Sequence, residues 1–470
     1  MKEKLTVGTK IGYGIGDFPF NLAYQTTALF LLFYLTDVFG IAAWAAGTLI
    51  MASKVWDAVS DPMMGYITDH TKSRWGSKRP YLLFGAIPLG VMFFLLFYSP
   101  DFAALFGIDD PAKIEKYKII YVTAVFVLFC TAITIVNVPY GALTAHLTQD
   151  ADERSVLTGY RMVFAILGTL FGAAATLILV DKFGFTGIVL EDGKRVINQL
   201  FGFRMMGLVY MVIIVIAVLI TFFAVKERGE AEKSAAAEKV SLKDILKVIF
   251  TNRPFLILIT GTILNLVAVL IMAAVVNYFF KYNLENEGMV PLAFLCLFVS
   301  AILFMPFFVW LSKKTSKKFT YNVGMGSLCC VLVLIFFFGD KNIILTLILF
   351  ILAGAGMATN WLSSWSMVPD TIEYSQWKTG IRSEGVIYGA FFFGQKLPVA
   401  IAAFIAGQAL KHIGFVPNVV QTPETLSGIK VLVTLIPIVF IILGIIVISR
   451  FPINAEMHKK IVEEIKSIEA

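Results

Sequence analysis

Charge is what this sequence has least of. Of its 470 residues only 15% are Asp, Glu, Lys or Arg, while 58% are hydrophobic. A soluble domain carries about a quarter of its residues as charges, so a soluble enzyme or binding module is excluded and the surrounding solvent must be largely lipid. Cysteine is scarce too. Cys130, Cys296, Cys329 and Cys330 all sit within apolar runs, where thiols behave as small apolar side chains. Neither a disulfide framework nor a zinc site is therefore expected. The four histidines, His70, His146, His412 and His458, fall in or beside predicted loops, which argues against a histidine proton relay through a membrane. The opening MKEKLTVGTK is basic, but the apolar run behind it contains Asp17 and no small-residue cleavage site; a secretory signal is not expected.

Long apolar runs are abundant. Stretches of about 20 residues, enough to cross a hydrocarbon core of roughly 30 Å, recur twelve times, at 11–36, 44–68, 81–99, 118–145, 160–181, 203–225, 255–281, 291–312, 320–338, 343–368, 386–411 and 427–450. The expected fold is an all-α polytopic membrane protein. Its longest hydrophilic interruption divides the spans six and six, giving an N-terminal six-helix bundle (1–225), a cytoplasmic linker (226–254), a second bundle (255–450) and a cytoplasmic tail (451–470). Ser241 to Phe250 in the linker is patterned as an amphipathic helix at the membrane surface. A faint repeat links the halves: Val138-Pro139 closes span 4 before Arg154, and Val368-Pro369 closes span 10 before Arg382. Two related halves around a central pathway are the arrangement of the major facilitator fold. The net charge of +7 is concentrated in segments such as KSRWGSKRP (72–80) and SKKTSKKF (312–319). This is a positive-inside pattern, with both termini cytoplasmic at a plasma or inner membrane. The partner this positive charge implies is the lipid bilayer, not nucleic acid, and no obligate protein partner is inferred.

Ionisable side chains at bilayer depth cost about 2.5–3.5 kcal/mol each on insertion scales, so each one retained there asks for a function. The run SKVWDAVSDP puts Lys54, Asp57 and Asp61 at i, i+3 and i+7, within one narrow face of span 2. Two carboxylates one turn apart can share a cation. Counting about 1.5 Å per residue from the cytoplasmic end, Asp61 lies roughly 12 Å deep and Asp57 roughly 18 Å. Asp17 on span 1 and Lys396 on span 11 fall in the same layer. Three Asp against two Lys leave one negative charge, which one bound monovalent cation (Na+, Li+ or H+) would cancel; no resident cofactor is called for. Lys396 is expected to pair with Asp57 and Asp61, which makes it, with Lys54, a coupling candidate. Neutral polar and small groups join this layer: Cys130, Thr134, Asn137 and Gly141 along span 4, Asn21 and Tyr24 aligned with Asp17 along span 1, and Asn265, Asn360, Trp361, Ser363, Ser364 and Trp365 on spans 7 and 10. Carboxylates, amides and hydroxyls pair with sugar hydroxyls, and aromatic faces cover the C–H face of a sugar ring. Isolated Asn, Ser and Thr also serve as glue between membrane helices. Asp69, Arg74 and Arg79 after span 2, and Asp370, Glu373 and Arg382 after span 10, are candidates for a cytoplasmic gate.

At KIGYGIGDFPFNLAY, FYLTDVFGI, WDAVSDPMMGYITDHTKSRWGSKRPYLL, VNVPYGAL and VPDTIEYSQWKTGIRSEG the chain resembles the glycoside–pentoside–hexuronide:cation symporters, the melibiose permease-like family of the major facilitator superfamily. The likeness covers nearly the whole chain. It implies a cation-coupled symporter that takes up a small sugar by alternating access of two halves, not an enzyme. By resemblance, Asp57 and Asp61 bind the cation with Ser60 and Thr134 as further oxygen ligands. Asp17, Tyr24, Arg161 and Trp361 line the sugar site, and Lys396 lies between the two sites. Three positions depart from the melibiose-type pattern: Asn137 replaces a second sugar-binding aspartate, Gly141 a stacking tryptophan, and Lys54 an arginine. A galactoside, another glycoside, a pentoside or a hexuronide all stay open as substrate. The alternative within the same fold is a lysolipid or other amphiphile transporter, which needs a lateral apolar opening in place of a closed polar cavity.

Overall fold

In the computed structural model, residues 5–147, 151–189, 195–227, 249–379 and 384–469 are described. Most of them are helical. α1 (Val7–Ile15) and α2 (Asp17–Phe33) form the first span and are separated at Gly16. α3 (Ala43–His70), α4 (Arg79–Leu96), the short α5 (Phe102–Phe106), α6 (Pro111–Leu147), α7 (Ala151–Gly184) and α8 (Gln199–Ala224) complete the N-terminal part. After the linker come α9 (Arg253–Tyr278), α10 (Val290–Lys314), α11 (Lys317–Phe338), α12 (Ile343–Thr379), α13 (Glu384–His412), α14 (Pro423–Val433), α15 (Leu435–Ser449) and α16 (Ala455–Glu469). One antiparallel hairpin, β1 (Phe185–Val189) with β2 (Arg195–Ile197), links α7 to α8.

Helix starts follow local chemistry. Asn198, Asn252, Ser316 and Thr422 each accept a backbone N–H three residues on, satisfying a donor that the first turn leaves open. Prolines in the first turns of α4, α9, α10 and α14 cost nothing there, because no intrahelical bond is lost.

Among the described residues, ten helices are long and apolar enough to cross a membrane. The remaining two expected spans are helical but fall outside that set for visible reasons: the first is split into pieces of 9 and 17 residues, and α3 carries Lys54, Asp57 and Asp61. The chain is a polytopic helical membrane protein.

The chain divides into two compact units: Met1–Ala235 with Val416–Val419, and Ala236–Phe415 with Val420–Ala470. In the first unit α2 packs on α7 where two glycines remove the obstacle. A Cβ on Gly168 would stand 2.4 Å from the Phe18 carbonyl oxygen, and one on Gly172 would stand 2.8 Å from that of Leu22. The second unit repeats the device between α12 and α10, where a Cβ on Gly354 would stand 2.1 Å from the Leu297 carbonyl oxygen. Lipid supplies no hydrophobic drive between helices, so close backbone approach at small residues does the packing.

Each unit also ends its first span in a five-residue π-helical turn, Tyr34–Val38 and Phe279–Asn283. The fourth span of each is a 37-residue helix with an internal proline, Pro139 or Pro369. The expected end of span 10 at Val368 is thus corrected: α12 runs on through Pro369 to Thr379. The missing N–H removes one intrahelical bond, and Thr371, Asp370 and Glu373 beyond it are engaged by side chains of other segments. The tail is also more than an extension, because α16 packs on α12. Most of the amphipathic segment expected at 241–250 lies outside the described residues.

Candidate functional site

α6 is the common wall of two polar sites in the first unit. Toward α3, Thr134 is 2% exposed and its hydroxyl stands 2.9 Å from Asp61 Oδ1 and 3.2 Å from Asp57 Oδ1. Ser60 Oγ lies 3.2 Å from the same hydroxyl and donates to the Asp57 carbonyl at 3.1 Å. The i, i+4 spacing on α3 is what brings both carboxylates to one hydroxyl. Thr134 has a single proton to give. Four oxygens thus converge between α3 and α6, a donor set of the kind that holds a small hard cation or a proton. Lys54 Nζ sits 3.7 Å from Asp57 Oδ2 and above the Phe126 ring. Lys54 thus neutralises part of the carboxylate charge without entering the oxygen cluster.

The second site lies where α6 meets α2 and α7. Asp17, buried at the first position of α2, accepts the fork of Arg161 from α7: Nε at 2.5 Å from Oδ2 and Nη2 at 3.3 Å from Oδ1. Tyr140 of α6 approaches the same carboxylate, its hydroxyl 3.0 Å from Oδ2. Arg161 lies over the Tyr140 and Tyr13 rings and reaches Thr144 Oγ1 at 3.4 Å. Bidentate guanidinium–carboxylate pairing fixes geometry as well as charge. Asn137 and Tyr24 present exposed side chains from α6 and α2. At Gly141 a Cβ would meet nothing within 4 Å, so the space a large side chain could fill is open.

In the second unit the polar side chains bond chiefly to one another. Asn265 of α9 is fully buried and donates to the Tyr321 hydroxyl at 2.6 Å, which lies 3.3 Å from Asn360 Oδ1. Thr262 donates to Ser364 at 3.3 Å. These groups act as glue between α9, α11 and α12. Trp365 meets Phe391 and Phe392 edge-on. Lys396 is half-buried on α13. The side chain of Trp361 lies outside the described residues.

The gate candidates separate. Arg74 is exposed and covers the Trp75 ring. Arg79 donates through Nη2 to the Phe222 carbonyl at 2.9 Å and lies over the Phe222 ring. The backbone around it is held by Glu227, whose carboxylate accepts N–H bonds from Ser77, Lys78 and Arg79 at 2.8–2.9 Å and so caps α4. In the second unit Asp370 accepts from Lys317 Nζ at 2.7 and 2.9 Å, and His458 of α16 sits 2.6 Å from Glu373 and 3.5 Å from Asp370. Lys317 supplies there the positive charge that an ion would otherwise bring. Arg382 and the side chain of Asp69 lie outside the described residues.

Sequence reasoning passed over Tyr13, Tyr140, Thr144, Glu227, Lys317 and His458. Tyr140 lies inside the quoted VNVPYGAL, yet an aromatic residue in an apolar helix carries no signal that its hydroxyl is aimed at a carboxylate. His458 reads from sequence as a loop histidine, because nothing in the tail by itself reveals a docked helix.

Comparison with known proteins gives the family of the chain. The profile of a family described as MFS/sugar transport protein matches residues 12–455. The "Uncharacterized symporter YnaJ" of Bacillus subtilis (strain 168) is 34% identical over 465 residues, covering 99% of this chain and 96% of that protein. The "Putative glycoside/cation symporter YagG" of Escherichia coli (strain K12) is 30% identical over 441 residues, covering 93% and 90%. The crystal structure of a D-xylose-proton symporter superposes with a TM-score of 0.62 over 95% of this chain and 98% of that one. At 14% identity it speaks for the fold alone, in keeping with the MFS family model.

Proposed function

We propose, for a chain that belongs to the MFS/sugar transport protein family, symport of a glycoside, pentoside or hexuronide with a monovalent cation. The family and the relatives are transporters rather than enzymes, and one relative is named for a glycoside and a cation. The observation that carries the reading is the double use of α6. Thr134 faces the Asp57–Asp61 pair, while Tyr140 and Thr144 face the Asp17–Arg161 pair. Six residues of helix separate Thr134 from Tyr140, about 9 Å of rise. A cation drawn to the carboxylates and a sugar drawn to Asp17 would each settle the same helix, so each would raise the other's affinity, as reciprocal linkage demands.

In this reading Asp57, Asp61, Ser60 and Thr134 bind the cation. Asp17, Tyr24, Asn137, Arg161 and Trp361 receive the sugar, and Lys54 and Lys396 couple the two events. Transport proceeds by alternating access of an N-terminal and a C-terminal six-helix half joined by the 226–254 linker, with both termini cytoplasmic. The charges at Asp69, Arg74, Arg79, Asp370, Glu373 and Arg382 serve the cytoplasmic gate. The open space at Gly141 and the neutral Asn137 favour a substrate other than an α-galactoside. The test is uptake into sealed vesicles across a panel of glycosides, pentosides, hexuronides and a lysolipid, with Na+, Li+ and H+ gradients imposed separately. Gradient-driven accumulation of a sugar is expected; uptake of the lysolipid alone would overturn the assignment.

A further inference from the structure

A membrane helix that stops and restarts must find other partners for its freed backbone groups. Between α1 and α2 the interruption falls at Gly16, whose N–H donates to the Tyr13 carbonyl at 3.1 Å in a tightened turn. Tyr140 enters this break from α6. Its hydroxyl stands 2.8 Å from the Tyr13 carbonyl oxygen and 3.0 Å from Asp17 Oδ2. Glycine is required for the approach, because a Cβ on Gly16 would stand 2.3 Å from Tyr140 Cε2. Tyr13 returns the contact, its own hydroxyl 3.1 Å from the Tyr140 carbonyl and 2.6 Å from Thr144 Oγ1. Tyr140 is 1% exposed, with ring neighbours Tyr13 at 5.0 Å and Phe20 at 5.5 Å, so the ring has little room to turn the hydroxyl elsewhere.

A phenol has one proton to donate, and here two acceptors share it. We propose that Tyr140 is a positioning residue for Asp17: its shared proton holds the carboxylate, beside the Arg161 fork, in the pose that receives substrate. When a substrate hydroxyl becomes the donor to Asp17, the Tyr140 hydroxyl keeps its proton and donates its hydrogen bond wholly to the Tyr13 carbonyl, and neither state leaves a buried group unsatisfied. The pair thereby favours a hydroxyl where the substrate meets Asp17 Oδ2, because an ether or carboxylate oxygen has no proton to give that carboxylate. This inference rests on the sugar-transport reading of the same site.

The experiment compares Tyr140→Phe, which keeps the ring and removes the hydroxyl, with Tyr140→Leu, which removes both. The probes are the 4-nitrophenyl α-galactoside, β-glucoside, β-xyloside and β-glucuronide, using whichever binds the wild type tightest. Both variants are expected to weaken probe binding about tenfold, with cation binding in the absence of probe changed less than twofold. Full rescue by Phe, or an equal loss of cation binding, would mean that Tyr140 only fills space and would overturn the proposal. A second arm needs no substrate. Tyr140→Phe is expected to lower the thermal midpoint by about 2–4 °C, and by less than half as much in an Asp17→Asn background; strictly additive shifts would overturn the proposal. If no probe binds the wild type, the sugar reading fails, and the thermal cycle alone decides whether Tyr140 holds Asp17.

Discussion

The two units bury polar side chains in similarly apolar helices, but they use them differently. In the first, the buried groups include charged ones: Asp57, Asp61, Asp17, Arg161 and Lys54 crowd around α6, two of the carboxylates meeting at Thr134. In the second, Asn265, Tyr321, Asn360, Thr262 and Ser364 are neutral and hydrogen-bond to one another. Charge at membrane depth is costly enough to demand a return in function, whereas a neutral hydrogen bond between helices is repaid in packing alone. One network thus gathers charge that a ligand can answer, and the other ties helices together with neutral bonds.

The sharpest way to break this contrast is to remove a charge from the first network. Asp57→Asn or Asp61→Asn should reduce gradient-driven accumulation about 100-fold, the scale of losing roughly 3 kcal/mol of charge-assisted bonding. Normal accumulation in either variant would remove the cation assignment. Next in size, Asp17→Asn should weaken sugar binding about tenfold or more while cation binding holds, as read by direct binding of each; the opposite order would reassign Asp17 to the cation. Lys396→Ala should leave sugar binding largely intact but shrink the enhancement that cation gives it, a coupling typically worth about 1–3 kcal/mol. An unchanged enhancement would return Lys396 to a passive role. The smallest effect on transport belongs to the second network. Asn265→Ala should cost about 1–3 kcal/mol of stability through the lost bond to Tyr321, seen as a lower thermal midpoint, with the sugar concentration for half-maximal uptake unchanged. A shift in that concentration would blur the distinction between the units.

The same contrast explains what could be read before the structure was known. Asp57, Asp61 and Lys54 announce themselves, because ionisable residues at helical spacing in an apolar run have few dull explanations. Twelve apolar runs and the hydrophilic interruption after the sixth are legible in hydropathy, since lipid forces backbone groups to bond within the helix. Arg161 came only through family likeness: it stands near the start of its span, where an arginine usually marks the membrane surface. Tyr140 was not legible at all, because its role depends on a helix break at Gly16 meeting a ring from α6, a contact between residues 124 positions apart along the chain. Asn265 had two readings from sequence, and its bond to Tyr321 supports the structural one. The tail helix α16 and its His458 contacts escaped for a related reason, since a short polar segment shows its docking only when its partner, the α12 extension beyond Pro369, is in place.

The central claim is that cation and sugar are bound on one helix and favour each other. Its most direct test is the affinity of the purified protein for the tightest-binding glycoside, measured across a range of Na+, Li+ or H+ concentration, together with the cation affinity measured with and without that glycoside. The account predicts that the cation which drives uptake tightens sugar binding, and that the sugar tightens binding of that cation by the same factor. Sugar affinity that stays constant at every cation concentration would contradict it.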